Sequence, residues 1–389
     1  MFEKGVDKMK DLGLVIPTFF AGKLLIRSLD SAIKSAELAN VNLKIVVVDC
    51  HPQARDKKNV PAGVSYISLP HNPGFGTAAN TGFKMLFSEP KIEHIMLLNP
   101  DAFLKENFIT TLRSTLANEE VKTKPIAPLI LFSSSNFMKL EIKQDNKAVI
   151  TEASKFLNDE DIAIYDRKGS KVGKHSEDLT SRLGYSFVAS TNSSCFAALK
   201  SNNWEKAEFV QNASSFYHWP DAAGDIGFGL LNTNQYSGQS QNAASWCGAG
   251  VVLSRSYLQI TGGFDERFFL YYEDTELAVR GANLGLAPIF IPELIIYHEH
   301  SSSTGKNQRK RTKAIWTSRA LFSTIIAGRS TTLATVLSRF LGQLIKMNPI
   351  KWLPALQKYL LPELFFSLKG FGVGIIRKPQ KGIWKNDRK

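Results

Sequence analysis

Cysteine is scarce in this chain of 389 residues: Cys50, Cys195 and Cys247 are the only three, and no pair has C-x-x-C spacing. The spacing argues against a thiolate zinc site, and the odd number argues against a disulfide framework, so a reducing compartment is expected. Long apolar runs are missing as well. No charge-free apolar stretch reaches the length that crosses a bilayer, and the opening MFEKGVDKMKDLGLVIPTFF carries acidic residues without the apolar core and cleavage site of a secretory signal. These absences point to a cytoplasmic protein, free or peripheral on the inner face of the plasma membrane. Acidic residues nearly vanish from one region. Residues 301–389 hold 18 Lys and Arg against Glu363 and Asp387, a net +16, which leaves −3 on residues 1–300 for the total of +13. Such a segment is drawn to anionic surfaces, with an attraction that salt weakens. No aromatic-basic RNA motif or zinc finger accompanies it, so a membrane surface is the expected partner and nucleic acid is not.

What is present reads as an α/β protein. LGLVIPT (12–18), LKIVVVD (43–49), VSYISLP (64–70) and EHIMLLN (93–99) are short runs rich in Val, Ile and Leu, the pattern of buried strands. Between them Leu25, Leu29, Ile33 and Ala36 recur at helical spacing, and GTAANTGFKMLF allows a second helix. Strands that alternate with helices predict a parallel, doubly wound sheet. The pattern loosens from about 125 to 245. It resumes with GAGVVLS (248–254), a helix-like EDTELAVRGANLG (273–285) and APIFIPELIIYHEH (287–300). Beyond 305, Leu333, Val336, Leu337, Phe340, Leu341, Leu344 and Ile345 mark one helical face, and a second apolar cluster holds Trp352, Leu353, Leu356, Leu360, Leu364 and Phe365. Such stripes either pack on a domain or meet lipid. The expected organisation is one α/β domain over 1–305 and a basic, amphipathic helical region over 306–389.

Several acids and histidines sit where ligands are held or where turns begin. Asp49 and Asp101 each follow an apolar strand; an acid there either opens a turn or faces a ligand at the carboxyl end of the sheet. Glu273, Asp274 and Glu276 fall in a helix's first turn, where they also complement its dipole. His298 and His300 alternate along a strand and share a face. GFGTAA (74–79) matches a G-x-G-x-x-A dinucleotide fingerprint, but it follows the third strand rather than the first, which speaks against a nicotinamide enzyme.

Taken in order, VVVD, N-P-G-F-G-x-A-x-N-x-G, LLNPD, W-C-G-A-G, GGFDERFFLYYEDTELAVR and IPELIIYHEHSSS resemble the family-2 glycosyltransferases, particularly their rhamnosyltransferase-like branch. The resemblance covers roughly residues 12–120 and 245–320. It implies a GT-A fold, Rossmann-like, whose amino half binds a nucleotide and whose carboxyl half shapes the acceptor site. By position, Asp49 resembles the residue that contacts the base. Asn72, Gly74 and Asn80 resemble the wall near the ribose and diphosphate. Asn99 replaces the first Asp of the family's D-x-D motif, Asp101 matches its second acid, His298 resembles the metal-binding histidine, and Asp274 matches the catalytic base. Three departures stand out: Asp49-Cys50-His51-Pro52 in place of VDNxS, QRKRT at 308–312 in place of Q-x-x-R-W, and the long 125–245 interval. The second favours transfer of one sugar over polymerisation.

The implied chemistry needs a cation. An acid at 101 beside a diphosphate repels it, by about 1 kcal/mol per pair of unit charges at 4 Å in water and about 4 at an effective dielectric of 20. Mg2+ or Mn2+ between them reverses the sign, and Mn2+ also accepts an imidazole. The expectation is an inverting, metal-dependent transferase that moves rhamnose from dTDP-rhamnose, with UDP-sugars as the alternative donors, to a lipid-linked or cell-envelope glycan of a bacterium. A catalytically degenerate nucleotide-sugar-binding protein is the competing reading, and an oligomer remains open.

Overall fold

The computed structural model describes residues 11–133 without interruption, short strands between 140 and 205, residues 210–228 and 241–299, and helices over 308–346 and 361–376, with a few single positions besides. His300 and the apolar cluster at 352–360 lie outside the described residues.

The four amino-terminal apolar runs form strands β1 (Asp11–Thr18), β2 (Asn42–Asp49), β3 (Ser65–Ser68) and β4 (His94–Leu98). Helices α1 (Lys23–Ala39) and α2 (Phe75–Phe87) join them. Leu25, Leu29 and Ala36 of α1 are buried as the spacing predicts, and Ser28, Ala32 and Ser35 share that face because small side chains let the helix lie close to the sheet. Next come β5 (Ala102–Leu104), α3 (Phe108–Thr115), α4 (Glu119–Lys122) and β6 (Ile126–Phe132). The loosened interval ends in three short strands, β7 (Val210–Asn212), β8 (Ser215–His218) and β9 (Ala222–Asp225). The carboxyl half adds β10 (Gln241–Asn242), β11 (Gly250–Ser254), α5 (Arg255–Thr261), α6 (Glu273–Ala282) and β12 (Ile289–His298).

These strands build one ten-stranded sheet in the order β10-β12-β6-β11-β4-β1-β2-β3, with β7 on β6 and β5 on β12. β1, β2, β3 and β4 run parallel, β11 runs against β4 and β6, and β12 is parallel to β6. The direction of β4 is therefore regained at β6 and β12. The carboxyl ends Thr18, Asp49, Leu98, Phe132 and His298 consequently share one border of the sheet. The chain turns back past β1 to reach β4, and such a reversal opens a crevice at the strand ends where open α/β sheets take their ligands. The α/β, GT-A type of architecture expected from the sequence is the one that forms, but its sheet is mixed and not wholly parallel, because β11 runs against both its neighbours and β5, β7 and β10 pair antiparallel.

Three further helices follow, α7 (Gln308–Ala327), α8 (Arg329–Lys346) and α9 (Leu361–Ile376). Leu321 and Phe322 of α7 bury against Phe268 and Val279. Gly370 of α9 meets the backbone of Thr317 so closely that a Cβ has no room. No helix among the described residues is long and apolar enough to cross a membrane. The predicted stripe on α8 divides: Val336 is buried, while Leu333, Leu337 and Leu341 are exposed.

Candidate active site

Asp101 and His298 come together across 197 residues. β5 pairs with the end of β12 so that His298 faces Ala102, the residue after the acid, and the Glu299 N–H donates to the Asp101 carbonyl at 2.9 Å. His298 Nε2 stands 3.1 Å from Asp101 Oδ1, and both residues are buried. The other ring nitrogen, Nδ1, lies 2.8 Å from Gln211 Oε1. An amide oxygen only accepts, so this contact puts a proton on Nδ1 and turns Nε2 toward the acid, where it donates to Asp101 or offers its lone pair to an ion held between them. Two donors at right angles on a cation about 2.1 Å from each are about 3.0 Å apart. The pair therefore fits two positions on one divalent ion, and the hydrogen bond at Nδ1 is the usual orientation device for a metal-binding histidine. Among the described residues no group of three or more His, Cys, Asp or Glu side chains forms a metal site. An ion here would complete its shell with substrate oxygens and water.

Asn99 completes the strand-end turn. Its N–H donates to the Ala249 carbonyl at 3.0 Å, and its amide nitrogen is 3.4 Å from His298 Nε2. The next residue along, Gly248, donates its N–H to Asp274 Oδ2 at 2.8 Å. Consecutive residues of W-C-G-A-G thus tie the Asn99–Asp101 turn to the acid at the start of α6. Asp274 Oδ1 also accepts from the Thr275 N–H at 2.7 Å and its hydroxyl at 3.3 Å. Burial raises the proton affinity of Asp274 above the ordinary carboxylate, and these hydrogen bonds pull it back down. Beside it Glu273 is buried, with Oε2 unpartnered among the described residues. Burial first, and the Asp274 charge second, push its carboxyl well up.

The remaining expected residues are tied into the frame by hydrogen bonds. Asp49 is fully buried, and its carboxylate accepts from the His51 N–H at 2.8 Å, the Asp56 N–H at 3.0 Å and the Tyr66 hydroxyl at 2.7 Å. It shapes the loop that carries His51. Asn72 Oδ1 accepts from the Gly74 N–H at 3.0 Å. Gly74 has φ 101°, and a Cβ there would stand 2.5 Å from the Phe269 carbonyl oxygen. Asn80 donates to the Phe264 carbonyl at 2.9 Å and to Glu266 at 3.1 Å, and accepts from the Phe264 N–H at 2.9 Å. The N-P-G-F-G block therefore locks onto the G-G-F-D-E-R-F-F block. This also disposes of the dinucleotide fingerprint: the Gly74 and Phe75 N–H groups, which would cradle a phosphate, donate to Asn72 and to the Phe269 carbonyl.

Two residues of the site were not foreseen. Gln211 comes from β7 and Asp225 from β9, both in the loosened interval. Asp225 Oδ1 accepts from the Asn212 amide at 2.6 Å and from the Ser215 hydroxyl at 3.4 Å. Burial, then the Asp274 charge, push its carboxyl up to about 6, while His298 acts in the opposite direction. Asp225 thus lies within electrostatic reach of both ends of the site. At the opposite side of the crevice Phe19 and Phe20, half exposed at the end of β1, group with the His51 ring at centroid distances of 5.0 and 6.1 Å, and Arg55 covers Phe20 at 4.9 Å.

Residues 202–368 match the model described as Glycosyl transferase family group 2. The N-acetylglucosaminyl-diphospho-decaprenol L-rhamnosyltransferase of Mycobacterium tuberculosis (strain CDC 1551 / Oshkosh) is 33% identical over 69 residues, 18% of this chain and 22% of that protein, so the match spans less than a quarter of the relative. Two solved structures are distantly similar. GalNAc-T7 with UDP, GalNAc and Mn2+ has a TM-score of 0.41 at 13% identity, over 75% of this chain and 44% of that one. The mannosyltransferase PcManGT from Pyrobaculum calidifontis, in complex with GDP-Man and Mn2+, has a TM-score of 0.42 at 11% identity, over 95% and 88%. The part of the chain that matches the family model, residues 202–368, includes Asp274 and His298, and the motifs of the amino half resemble the same family.

Proposed function

We propose that the protein is an inverting, metal-dependent transferase that moves one sugar, rhamnose first and a UDP-linked sugar as the alternative, from a nucleotide diphosphate to a hydroxyl of a lipid-linked or cell-envelope glycan. The observation that carries the reading is the Asp101–His298 pair, 3.1 Å apart at the strand ends and joined through Gly248 and Ala249 to Asp274. Asp101 and His298 would hold Mg2+ or Mn2+, which when bound neutralises the charge that grows on the departing nucleotide. Gln211 fixes the ring so that Nε2 faces the ion. Asn99 holds the turn against Ala249. The exposed rings of Phe19, Phe20 and His51 offer a flat face on which a base can stack, and Asp49 maintains the loop that presents His51.

Asp274 is the group placed to take the proton from the acceptor hydroxyl, help worth about 10² to 10⁴ in rate. Its raised proton affinity suits that task, because a base works best when its pKa approaches the working pH. With Glu273 favouring its protonated form, Asp274 faces less like-charge repulsion. Attack by one hydroxyl on the face opposite the leaving nucleotide inverts the anomeric centre.

The test is donor hydrolysis by the full chain across a panel of nucleotide-sugars, with and without Mn2+. Turnover of one donor that requires the ion and is lost in Asp101→Asn is expected; turnover indifferent to both the ion and the substitution would overturn the reading. The acceptor's lipid link rests on the +16 region and on the exposed Leu333, Leu337 and Leu341. Replacing these three leucines with serine should release the chain from anionic vesicles, and unchanged binding would refute a membrane role for that face.

A further inference from the structure

Asp221 is a buried acid that the reaction does not use. Its Oδ1 accepts from Arg319 of α7 at 3.1 Å and its Oδ2 from Arg339 of α8 at 2.6 Å. Both guanidinium groups lie 5.3 Å from the centre of the Trp316 ring. A carboxylate that is 3% exposed persists when such paired cations replace its water, and removing it leaves two partly buried cations facing each other. The backbone carbonyl of the same residue accepts from the Tyr272 hydroxyl at 3.0 Å.

Tyr272 is the residue immediately before α6, and both it and Tyr271 lie in the left-handed region, with φ 66° and 67°. Two consecutive bulky residues there are costly and survive only where their surroundings hold them. The hold comes from α7. Ser318 donates to the Leu270 carbonyl at 2.8 Å, the Phe322 ring lies 5.4 Å from that of Tyr272, and Phe268 packs with Leu321 and Phe322. The two residues that follow this turn are Glu273 and Asp274.

We propose that Asp221, clasped by Arg319 and Arg339, is a positioning residue that fixes the Tyr271–Tyr272 turn and through it the carboxylate of Asp274. The C-terminal helices are then part of the catalytic unit: one side of α8 is available to a surface, while α7 and α8 together hold the turn that aims the base. The inference rests on the proposed role of Asp274. A misplacement of about 1 Å at a reacting group is enough to cost on the order of 10² in rate, so the clasp acts on turnover more than on donor binding.

The experiment uses the full chain and the donor that the wild type turns over with Mn2+, and compares Asp221→Asn, Arg319→Lys, Arg339→Lys and Tyr272→Phe. The expected result is a fall in kcat of about 10-fold to 100-fold in Asp221→Asn with the donor KM within about twofold, and smaller losses in the two lysine variants, which keep the charge and lose the fork. In an Asp274→Asn background the Asp221→Asn change should cost no further rate, because there is no base left to misplace. Full kcat in both Asp221→Asn and Tyr272→Phe, or the same fold-loss in the Asp274→Asn background, would overturn the proposal. If Asp221→Asn does not fold, Tyr272→Phe decides: a lower kcat at unchanged donor KM supports the clasp, and an unchanged kcat overturns it. Full turnover by Asp274→Asn would sink the assignment of the base itself, an outcome distinct from failure of the clasp alone.

Discussion

The two halves of the sheet bury their acids differently. In the amino half, Asp49 and Asp56 are both fully buried and ringed by donors: three for Asp49, and for Asp56 the Thr18 hydroxyl, the Ala21 and Gly22 N–H groups and the Asn59 amide. In the carboxyl half, Glu273 keeps an unpartnered oxygen, and the carboxyls of Glu273, Asp274 and Asp225 are all pushed up, chiefly by burial. Asp49 and Asp56 are sealed among the donors of the loops they build, whereas Asp274 and Asp225, only partly buried, stay open to exchange a proton. The division also suits the proposed reaction, in which the donor nucleotide needs a rigid seat and the acceptor needs a base.

The largest effect should come from the acid the comparison singles out in the carboxyl half. Asp274→Asn keeps an oxygen to accept from the Gly248 or Thr275 N–H, so the chain stays folded while turnover falls by about 10² to 10⁴. A folded variant with wild-type kcat would erase the contrast. Asp49→Asn should behave in the opposite way. It removes the charge that three donors share, and hydrogen bonds to a charged group are worth about 1.5–3 kcal/mol each. The loss appears in urea unfolding, with the rate per folded molecule largely kept. An Asp49 variant as stable as the wild type would show that the amino-half acids are not structural.

How far this division is legible in the sequence differs between its parts. β1 to β4 announce themselves as unbroken runs of Val, Ile and Leu, and α1, α2 and α6 by helical spacing, and the strand-end acids follow from the breaks in those runs. β7 (VQN), β8 (SFYH) and β9 (AAGD) are short and carry no run of branched apolar residues. Their place is set by pairing with β6 and with one another, so Gln211, Asp221 and Asp225 could not be read locally. Motif blocks identify Gly74, Asn80 and Phe264 as special without revealing that they touch, a contact seen only in the bonds between Asn80 and Phe264. On α8 the period gives a helix, but neighbours on one stripe, Val336 and Leu337, meet protein and solvent respectively. That choice belongs to α7 and α9, which no local pattern contains.

The smallest effect concerns Asp225, and its sign is the informative part. The folded state holds the proton on this carboxyl up to about pH 6, whereas an ordinary aspartate releases it near 3.8. Between those values the native chain binds more protons than the unfolded one, so this group makes stability fall as pH rises through the window. The deficit persists above it. Asp225→Asn carries no charge to bury and retains an oxygen for the Asn212 amide. The variant should therefore match the wild type near pH 4 and melt at a higher temperature above about pH 6, by a few degrees at most. Midpoints that run parallel across that range would mean that Asp225 does not titrate apart from an exposed acid. The carboxyl half would then hold one fewer acid of the kind that distinguishes it from the donor-ringed pair at 49 and 56.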